Sequence, residues 1–201
     1  MKVEIEDVLF WMDAIRNSED RYRTLESFWK GQVNSKVWLA KHLQGFVPVT
    51  PIDIVIYGGW NGVLASILFN SNMRINSITS VDIDPRCEEI ANTVNKRYEI
   101  EGKFSAVTAD MCKYTTNADV VINTSCEHIS QEQYEQWLSN QPDDAIFVIQ
   151  SNNYFELPEH IRCATDADDF MRMSKVKPLW RGEFETPKYT RYMIIGKKKN
   201  V

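Results

Sequence analysis

The sequence has no excess of positive charge, few cysteines and no long hydrophobic run. Its 201 residues carry 23 Lys and Arg against 28 Asp and Glu, a net charge of −5. Because phosphate contacts need clustered cations, this balance argues against nucleic-acid binding over the whole surface. The longest apolar stretch, residues 54–69, is interrupted by glycines and polar residues, and it is shorter than the ~20 residues of a membrane span. The composition therefore favours small molecules or proteins as partners, with no membrane.

The start of the chain and its cysteines indicate the compartment. The opening residues, MKVEIEDVLFW, place acids where a secretory signal is basic and then apolar. Four cysteines in 201 residues do not make a disulfide framework. Both observations predict a reduced, cytoplasmic protein. A chain of this length can bury ~70% of its unfolded surface, so its core needs no metal or disulfide to hold it.

The pattern of apolar residues divides the chain near Pro48 and Pro51. Before them, apolar residues recur at helical spacing, with a polar break at residues 17–20. After them, short runs rich in Ile and Val alternate with helical segments, which predicts a parallel sheet covered by helices. We expect an N-terminal helical lid or extension over residues 1–50 and one domain over residues 51–201. The predicted strands cover residues 52–57, 75–81, 104–107, 118–122 and 145–149, and later helices cover residues 131–138 and 166–173.

The end of the chain departs from this alternation. Residues 176–184 and 189–197 are two strand-like segments separated only by Glu-Thr-Pro-Lys. So short a link cannot hold a crossover helix, and we therefore expect an antiparallel hairpin. The predicted class is α/β, with a mostly parallel sheet closed by this hairpin.

A glycine-rich turn between the first predicted strand and the next helix is the strongest chemical signal. Gly58, Gly59 and Gly62 lie in the segment IVIYGGWNGVLA, and glycine lets a ligand approach the backbone. Their spacing is not the G-x-G-x-x-G of a dinucleotide site, and a tight turn without a ligand is an open alternative. Asp82 ends the second strand, where one carboxylate can accept from two vicinal ribose hydroxyls. Asp84, followed by proline, is instead typical of a helix N-cap.

These segments, in this order, resemble the class I S-adenosylmethionine-dependent methyltransferases. Residues 54–65 match the glycine loop, residues 80–84 the ribose acid, residues 107–111 the adenine-contacting turn and residues 118–123 the strand leading to the active site. The resemblance covers residues 51–197 and implies a Rossmann-like three-layer sandwich with a seven-stranded sheet. It implies S-adenosylmethionine as cofactor, bound across the carboxyl ends of the first strands. The cofactor-binding residues expected from it are Tyr57, Gly58, Gly59, Gly62, Asp82, Ile83, Asp110, Met111 and Asn123.

Two positions depart from the family pattern. Ile56 stands where the family has an acid, and Trp60 stands where it has a middle glycine. Trp60 or Tyr57 is a candidate to face the sulfonium, since an aromatic face attracts a cation. Packing of Trp60 on the N-terminal helices is the alternative. The departures also leave open a methyltransferase-like fold that binds a nucleoside or a protein without transferring a methyl group.

Polar residues follow the fourth and fifth predicted strands, where the resemblance places the methyl acceptor. Asn123 matches the DNA amino-methyltransferases, but their two prolines and aromatic are absent, which argues against a nucleobase amine. Glu127 and His128 are the candidate catalytic residues, because either can take a proton from the acceptor. The alternative is that Glu127 caps the following helix and His128 packs its start. The candidate acceptor-binding residues are Cys126, Asn152, Asn153 and Tyr154.

A metal site competes with this interpretation. Cys126, His128, His160 and Cys163 supply four zinc-type ligands, although their spacing is not a common closed form and no C-x-x-C is present. We assign no metal ligand from the sequence and leave the question open. The expected acceptor is a small molecule or a protein side chain. A nucleic-acid methyltransferase with a local basic patch is the alternative, and the lysines at 197–199 are the tight basic cluster.

Overall fold

Seven strands form one sheet in a computed structural model that describes residues 2–199. The strands are β1 Ile52–Tyr57, β2 Ile75–Asp82, β3 Phe104–Thr108, β4 Val120–Asn123, β5 Ile146–Asn152, β6 Val176–Glu185 and β7 Thr190–Lys198. The helices are α1 Ile5–Asn17, α2 Arg21–Glu26, α3 Lys30–Leu43, α4 Val63–Phe69, α5 Arg86–Val94, α6 Lys96–Ile100, α7 Gln131–Ser139 and α8 Ala167–Ser174, with a 3₁₀ turn at Cys126–His128. None of the described helices is long and apolar enough to cross a membrane.

The strand order is β3-β2-β1-β4-β5-β7-β6, and it confirms the predicted α/β class. Strands β1 to β5 run parallel, while β7 pairs antiparallel with both β5 and β6. The order reverses at β1, since β2 and β3 lie on one side of it and β4 on the other. Tyr57 pairs with Val81 on one side and Asn123 on the other, so these carboxyl ends meet at the switch point. Ligands of open α/β sheets bind at such a point.

The parallel strands separate two apolar layers, as strands buried on both faces do. Ile54 and Ile56 face the layer covered by α3 to α6. Val55 and Tyr57 face the layer covered by α7 and α8. This alternation follows from the two-residue period of a strand. The first strand is therefore buried on both faces up to the residue that precedes the glycine turn.

The N-terminal helices pack into the first of these layers. Leu39 and Leu43 of α3 are fully buried against it. The predicted polar break separates α1 from α2, and a second break at residues 27–29 separates α2 from α3. There the Ser27 hydroxyl donates to the Thr24 carbonyl at 2.7 Å, which gives the backbone an alternative to the helical pattern.

Candidate functional site

The glycine turn after β1 is shaped by close approaches within the protein itself. Gly58 and Gly62 have φ of +64° and +72°, in the left-handed region that favours glycine. A Cβ on Gly58 would lie 2.2 Å from the Ser125 hydroxyl oxygen, and one on Gly59 would lie 1.9 Å from that of Ser80. The turn therefore brings the backbone against the strand ends on both sides. No side chain at these positions fits without movement of a neighbour.

Trp60, at the position of the family's middle glycine, keeps a left-handed conformation. Its φ is +49°, which is strained for a bulky residue. The Trp60 N–H donates to the Asp82 carboxylate at 2.8 Å, and this bond holds the loop against the end of β2. Trp60 itself is half-buried. Trp60 therefore adopts a backbone conformation that favours glycine.

Asp82 holds two backbone segments at once. One carboxylate oxygen accepts from Trp60, and the other accepts from the Asp84 N–H at 3.0 Å. An ionised carboxylate has about four acceptor sites, so Asp82 can accept further hydrogen bonds from a ligand. It is half-buried at the edge of the sheet. Its neighbour Ile83 is 71% exposed and presents apolar surface beside it.

The turn after β3 and the end of β4 lie together. The buried Asn123 amide donates to the Met111 sulfur at 3.5 Å. Asp110 accepts from the Cys112 N–H at 2.9 Å, and chiefly this bond holds the pKa of Asp110 below its ordinary value. The structure therefore brings Met111 and Asn123 together, as the cofactor hypothesis requires. The Asp110 carboxylate is engaged with its own turn and with Lys113.

Tyr57 points its ring into the core. Its hydroxyl lies 3.0 Å from the Tyr114 carbonyl and 2.9 Å from the Gln141 side-chain oxygen, and its ring meets Trp137 edge-on. Burial raises the pKa of Tyr57 above its ordinary value. Only the backbone of Tyr57 borders the glycine turn, so its ring is not placed to face a bound sulfonium.

The N-terminal helices reach the loop that follows β2. The Arg23 guanidinium on α2 donates to the Asp84 carboxylate at 2.8 Å. Asp84 also accepts from the Arg86 N–H at 3.1 Å. The N-cap of α5 is Pro85, so Asp84 lies one residue before the position predicted for it. Hydrogen bonds from Arg86 lower the pKa of Asp84 to about 2. This acid therefore joins α2 to the candidate cofactor edge.

Two imidazoles and a carboxylate meet beyond the ends of β4 and β5. Glu127, His128 and His160 each offer a ligand atom, and these atoms all lie within 4.8 Å of one another. The two imidazole ring centroids are 4.8 Å apart at 81°. Glu127 is 2% exposed, whereas His128 is exposed and His160 half-buried. The candidate catalytic pair therefore has a third member, His160, that the sequence analysis considered only as a metal ligand.

Glu127 is held by β5 and β7. The Asn152 amide donates to Glu127 Oε1 at 2.6 Å, and Arg191 Nη1 lies 3.8 Å from the same oxygen. Glu127 does not cap α7, because Ser130 accepts from the Gln133 N–H and forms the capping box there. The capping alternative is therefore wrong.

The two nearby cysteines are placed differently. Cys126 is fully buried, its thiol donates to the Asn123 carbonyl at 3.6 Å, and burial raises its pKa to about 12. It therefore lies apart from the two histidines. The Cys163 thiol lies 3.4 Å from both Asn152 Oδ1 and the Tyr154 carbonyl, and burial raises its pKa to about 11. The four zinc-type residues of the sequence do not form one set, because the group of possible ligands consists of Glu127, His128 and His160 and contains neither cysteine.

The remaining candidate acceptor residues follow β5. Asn153 accepts from the Thr190 N–H at 2.8 Å, which ties this loop to β7. Tyr154 stacks on Tyr189, with ring centroids 5.5 Å apart. The Tyr154 carbonyl lies 2.8 Å from His160 Nδ1. Asn152 therefore holds Glu127 of the Glu127–His128–His160 cluster, and the Tyr154 carbonyl holds His160.

Sequence reasoning missed Lys36 on α3. Its ammonium donates to Gln32 at 3.0 Å. Burial, followed by the charge of Arg191, lowers the pKa of Lys36 to about 7. Nothing in the local pattern separates Lys36 from Lys30 and Lys41 on the same helix, because its surroundings come from the docking of α3 on the sheet.

Comparison with known proteins identifies the fold. No family model and no curated protein matches the sequence. The chain is similar to magnesium protoporphyrin IX methyltransferase from Synechocystis PCC 6803 with bound SAH, at TM-score 0.67 and 12% identity over 97% of this chain and 95% of that chain. It is similar to the mitomycin 7-O-methyltransferase MmcR, at TM-score 0.62 and 12% identity over 92% and 60%. A ribosomal protein L11 methylase from Lactobacillus delbrueckii subsp. bulgaricus matches at TM-score 0.55 and 14% identity over 82% and 79%. The chain thus has the class I methyltransferase fold.

Proposed function

We propose that this protein is an S-adenosylmethionine-dependent methyltransferase acting on a small molecule or a protein side chain. The observation that carries the proposal is Asp82, which joins the glycine turn to the end of β2 and still has acceptor sites for ribose hydroxyls. The fold supports the choice of cofactor, since similar structures hold SAH or SAM. When bound, S-adenosylmethionine supplies an electrophilic methyl group.

The residues around Asp82 fit a nucleoside. Gly58 and Gly62 border the methionine part through their backbone, and a Cβ at either position would point into the protein, toward Ser125 or toward Asn95. Ile83 and Met111 flank the adenine, which would cover the exposed surface of Ile83. Burial of an apolar side chain contributes about 25 cal/mol per Å² of area, so this contact adds affinity without charge. Gly59, Asp110, Asn123 and the Tyr57 backbone complete the proposed cofactor set.

The Glu127–His128 turn is the proposed acceptor side. It follows β4, next to the strand whose glycine turn borders the methionine part. An acceptor can reach the exposed side chain of His128. Glu127 is enclosed by the protein and acts through the residues beside it. Asn152, Asn153 and Tyr154 lie at the same end of β5, and Asn152 holds this turn through Glu127. Catalysis there consists of alignment of the acceptor with the methyl group and removal of the acceptor's proton.

The N-terminal helices, residues 1–50, are the proposed lid over this cleft. Arg23 of α2 binds the loop after β2 through Asp84. Lys36 of α3 lies near Arg191 of β7, on the acceptor side. One set of helices thus contacts both the cofactor edge and the acceptor edge.

Titration of the protein with S-adenosylhomocysteine in a calorimeter tests the cofactor assignment. Asp82→Asn keeps an acceptor oxygen for one of the two backbone N–H groups and removes the charge. Loss of charged hydrogen bonds worth ~1.5–3 kcal/mol lowers affinity about 10- to 100-fold. Asp119→Asn is the matched control, because Asp119 also accepts a backbone N–H, from Asp53 at the opposite end of the sheet. Equal affinity of wild type and Asp82→Asn, or no binding by wild type, contradicts the proposal.

A further inference from the structure

The cluster formed by Glu127, His128 and His160 has the chemistry of a metal site. Its members come from two separate segments, the 3₁₀ turn after β4 and the loop after β5. Two of the three histidines of the chain lie in it. Two imidazoles and a carboxylate supply two nitrogens and one oxygen, the donor set typical of a first-row transition metal and not of Ca²⁺ or Mg²⁺.

The tautomer of His160 is fixed by the backbone. Its Nδ1 lies 2.8 Å from the Tyr154 carbonyl oxygen. A carbonyl only accepts, so Nδ1 carries the proton and Nε2 keeps its lone pair. Histidines that bind metals almost always donate their other ring N–H in this way. The bond to Tyr154 therefore prepares His160 as a ligand through Nε2.

One carboxylate oxygen of Glu127 accepts a hydrogen bond, and the other has no hydrogen-bond partner among the described residues. Asn152 donates to Oε1, and Oε2 has no hydrogen-bond partner among the described residues although the side chain is 2% exposed. A buried carboxylate oxygen without a partner is costly. Arg191, at 3.8 Å from Oε1, is too distant for a short charged hydrogen bond. A cation at Oε2 satisfies this oxygen, and Asn152 then serves as the support that orients the carboxylate.

We propose that Glu127, His128 and His160 bind one divalent first-row transition-metal ion such as Zn²⁺. Ligand bonds of about 2.1 Å place two ligand atoms at most ~4.2 Å apart, so the outer limit of 4.8 Å must shorten. His128 is exposed and can turn inward without disturbing the core. Three protein ligands leave a coordination position open, as in catalytic sites.

The open position has a use that rests on the proposed methyltransferase function. An acceptor hydroxyl bound there ionises near neutral pH, because a metal lowers the pKa of a bound O–H group. Its proton leaves to solvent, the new O–C bond forms as the S–C bond of the sulfonium breaks, and the sulfur keeps that electron pair. Glu127 and His128 then act as ligands and not as the base. The substrate class is a molecule that presents an oxygen to a metal.

Titration of untagged, chelator-treated full-length protein with Co²⁺ tests the site, by calorimetry and by visible absorption. We expect one Co²⁺ per chain, with Zn²⁺ displacing it. His128→Ala and His160→Ala each lower Co²⁺ affinity by 100-fold or more. His160→Gln is a more conservative variant, which checks that the lost affinity comes from the missing imidazole and not from a change in the fold. His42→Ala is the matched control, because His42 stacks on Trp180 away from the cluster.

Three results overturn the site. The first is binding below one Co²⁺ per chain, and the second is wild-type affinity in both histidine variants while circular dichroism reports an intact fold. The third is a thiolate-to-cobalt charge-transfer band that Cys163→Ser removes, since it would place sulfur in the ligand set. The titration contains no nucleoside, and the S-adenosylhomocysteine titration contains no metal. Failure of the metal site and failure of the methyltransferase proposal are therefore told apart.

Discussion

Replacement of Gly58 by alanine separates two effects at the glycine turn, left-handed strain and steric contact with Ser125. Gly102 provides the matched control. The two glycines have φ of +64° and +69°. A Cβ on Gly58 would meet Ser125 Oγ at 2.2 Å and Ser125 Cβ at 2.5 Å, whereas nothing among the described residues lies within 4 Å of one on Gly102. The two substitutions share the strain, and only Gly58→Ala adds the contact.

The expected magnitudes differ by the cost of that contact. Left-handed alanine costs roughly 1–2 kcal/mol, which is the whole effect for Gly102→Ala. Overpacking adds typically about 1–3 kcal/mol, so Gly58→Ala costs about 3 kcal/mol in the free energy of unfolding. For a chain of this size, 1 kcal/mol corresponds to about 2–4 °C in Tm. We therefore expect Tm to fall by about 3 °C for Gly102→Ala and about 9 °C for Gly58→Ala.

Urea denaturation, with S-adenosylhomocysteine affinity as a second readout, checks this prediction. Adding Ser125→Gly to Gly58→Ala removes both clashing atoms and restores most of the difference. Adding Ser125→Ala leaves the 2.5 Å contact with Cβ and restores little. Gly102→Ala keeps wild-type affinity for S-adenosylhomocysteine, while Gly58→Ala loses it. Equal destabilisation by the two alanines refutes the argument that close packing, beyond positive φ, shapes the turn.

Two further predictions concern pH. The pKa of Lys36 falls from 10.5 to about 7 on folding, so the unfolded chain binds more protons between these values and stability rises with pH across that window. Lys36→Met is therefore more stable than wild type below pH 7. Thermal denaturation from pH 6 to 10.5 measures the Tm difference between the two proteins, which shrinks as pH rises. Lys41 is exposed on the same helix, and Lys41→Met shows no such trend. The pKa of Asp84 falls from 3.8 to about 2, so its stabilisation is present above pH 3.8 and is lost as pH drops through 2. The Tm difference between wild type and Asp84→Asn shrinks over that window, and a constant difference contradicts the Arg86–Asp84 assignment.

The strands could be predicted because their signals are local. Short apolar runs between helical segments mark β1 to β5. A four-residue link can only join antiparallel β6 and β7. The structure shifts most predicted ends by one or two residues; β1 begins and ends where expected, at Ile52 and Tyr57. The strand order was not predicted, because nothing in the apolar pattern places β4 beside β1.

The candidate site could be predicted only where its parts lie in one segment. Glu127 and His128 follow a strand, and their polar character at that point was visible in the sequence. His160 comes from a loop 32 residues later, and its role depends on a contact with the Tyr154 carbonyl. Lys36 acquires its low pKa first from burial when α3 docks on the sheet, and then from the charge of Arg191. Such properties arise from tertiary packing, which periodicity and spacing do not encode.

Trp60 shows how a departure from a family pattern is absorbed. A tryptophan at φ +49° stores strain of order 1–3 kcal/mol, where the family glycine has none. The 2.8 Å hydrogen bond from its N–H to Asp82 offsets part of that cost, because bonds to a charged acceptor contribute about 1.5–3 kcal/mol. The acid proposed to hold the ribose is therefore also the acid that fixes the loop. Loss of Asp82 must therefore weaken the turn and the cofactor site together, and Asp82→Asn, which keeps one of the two backbone acceptors, weakens the turn less than Asp82→Ala does.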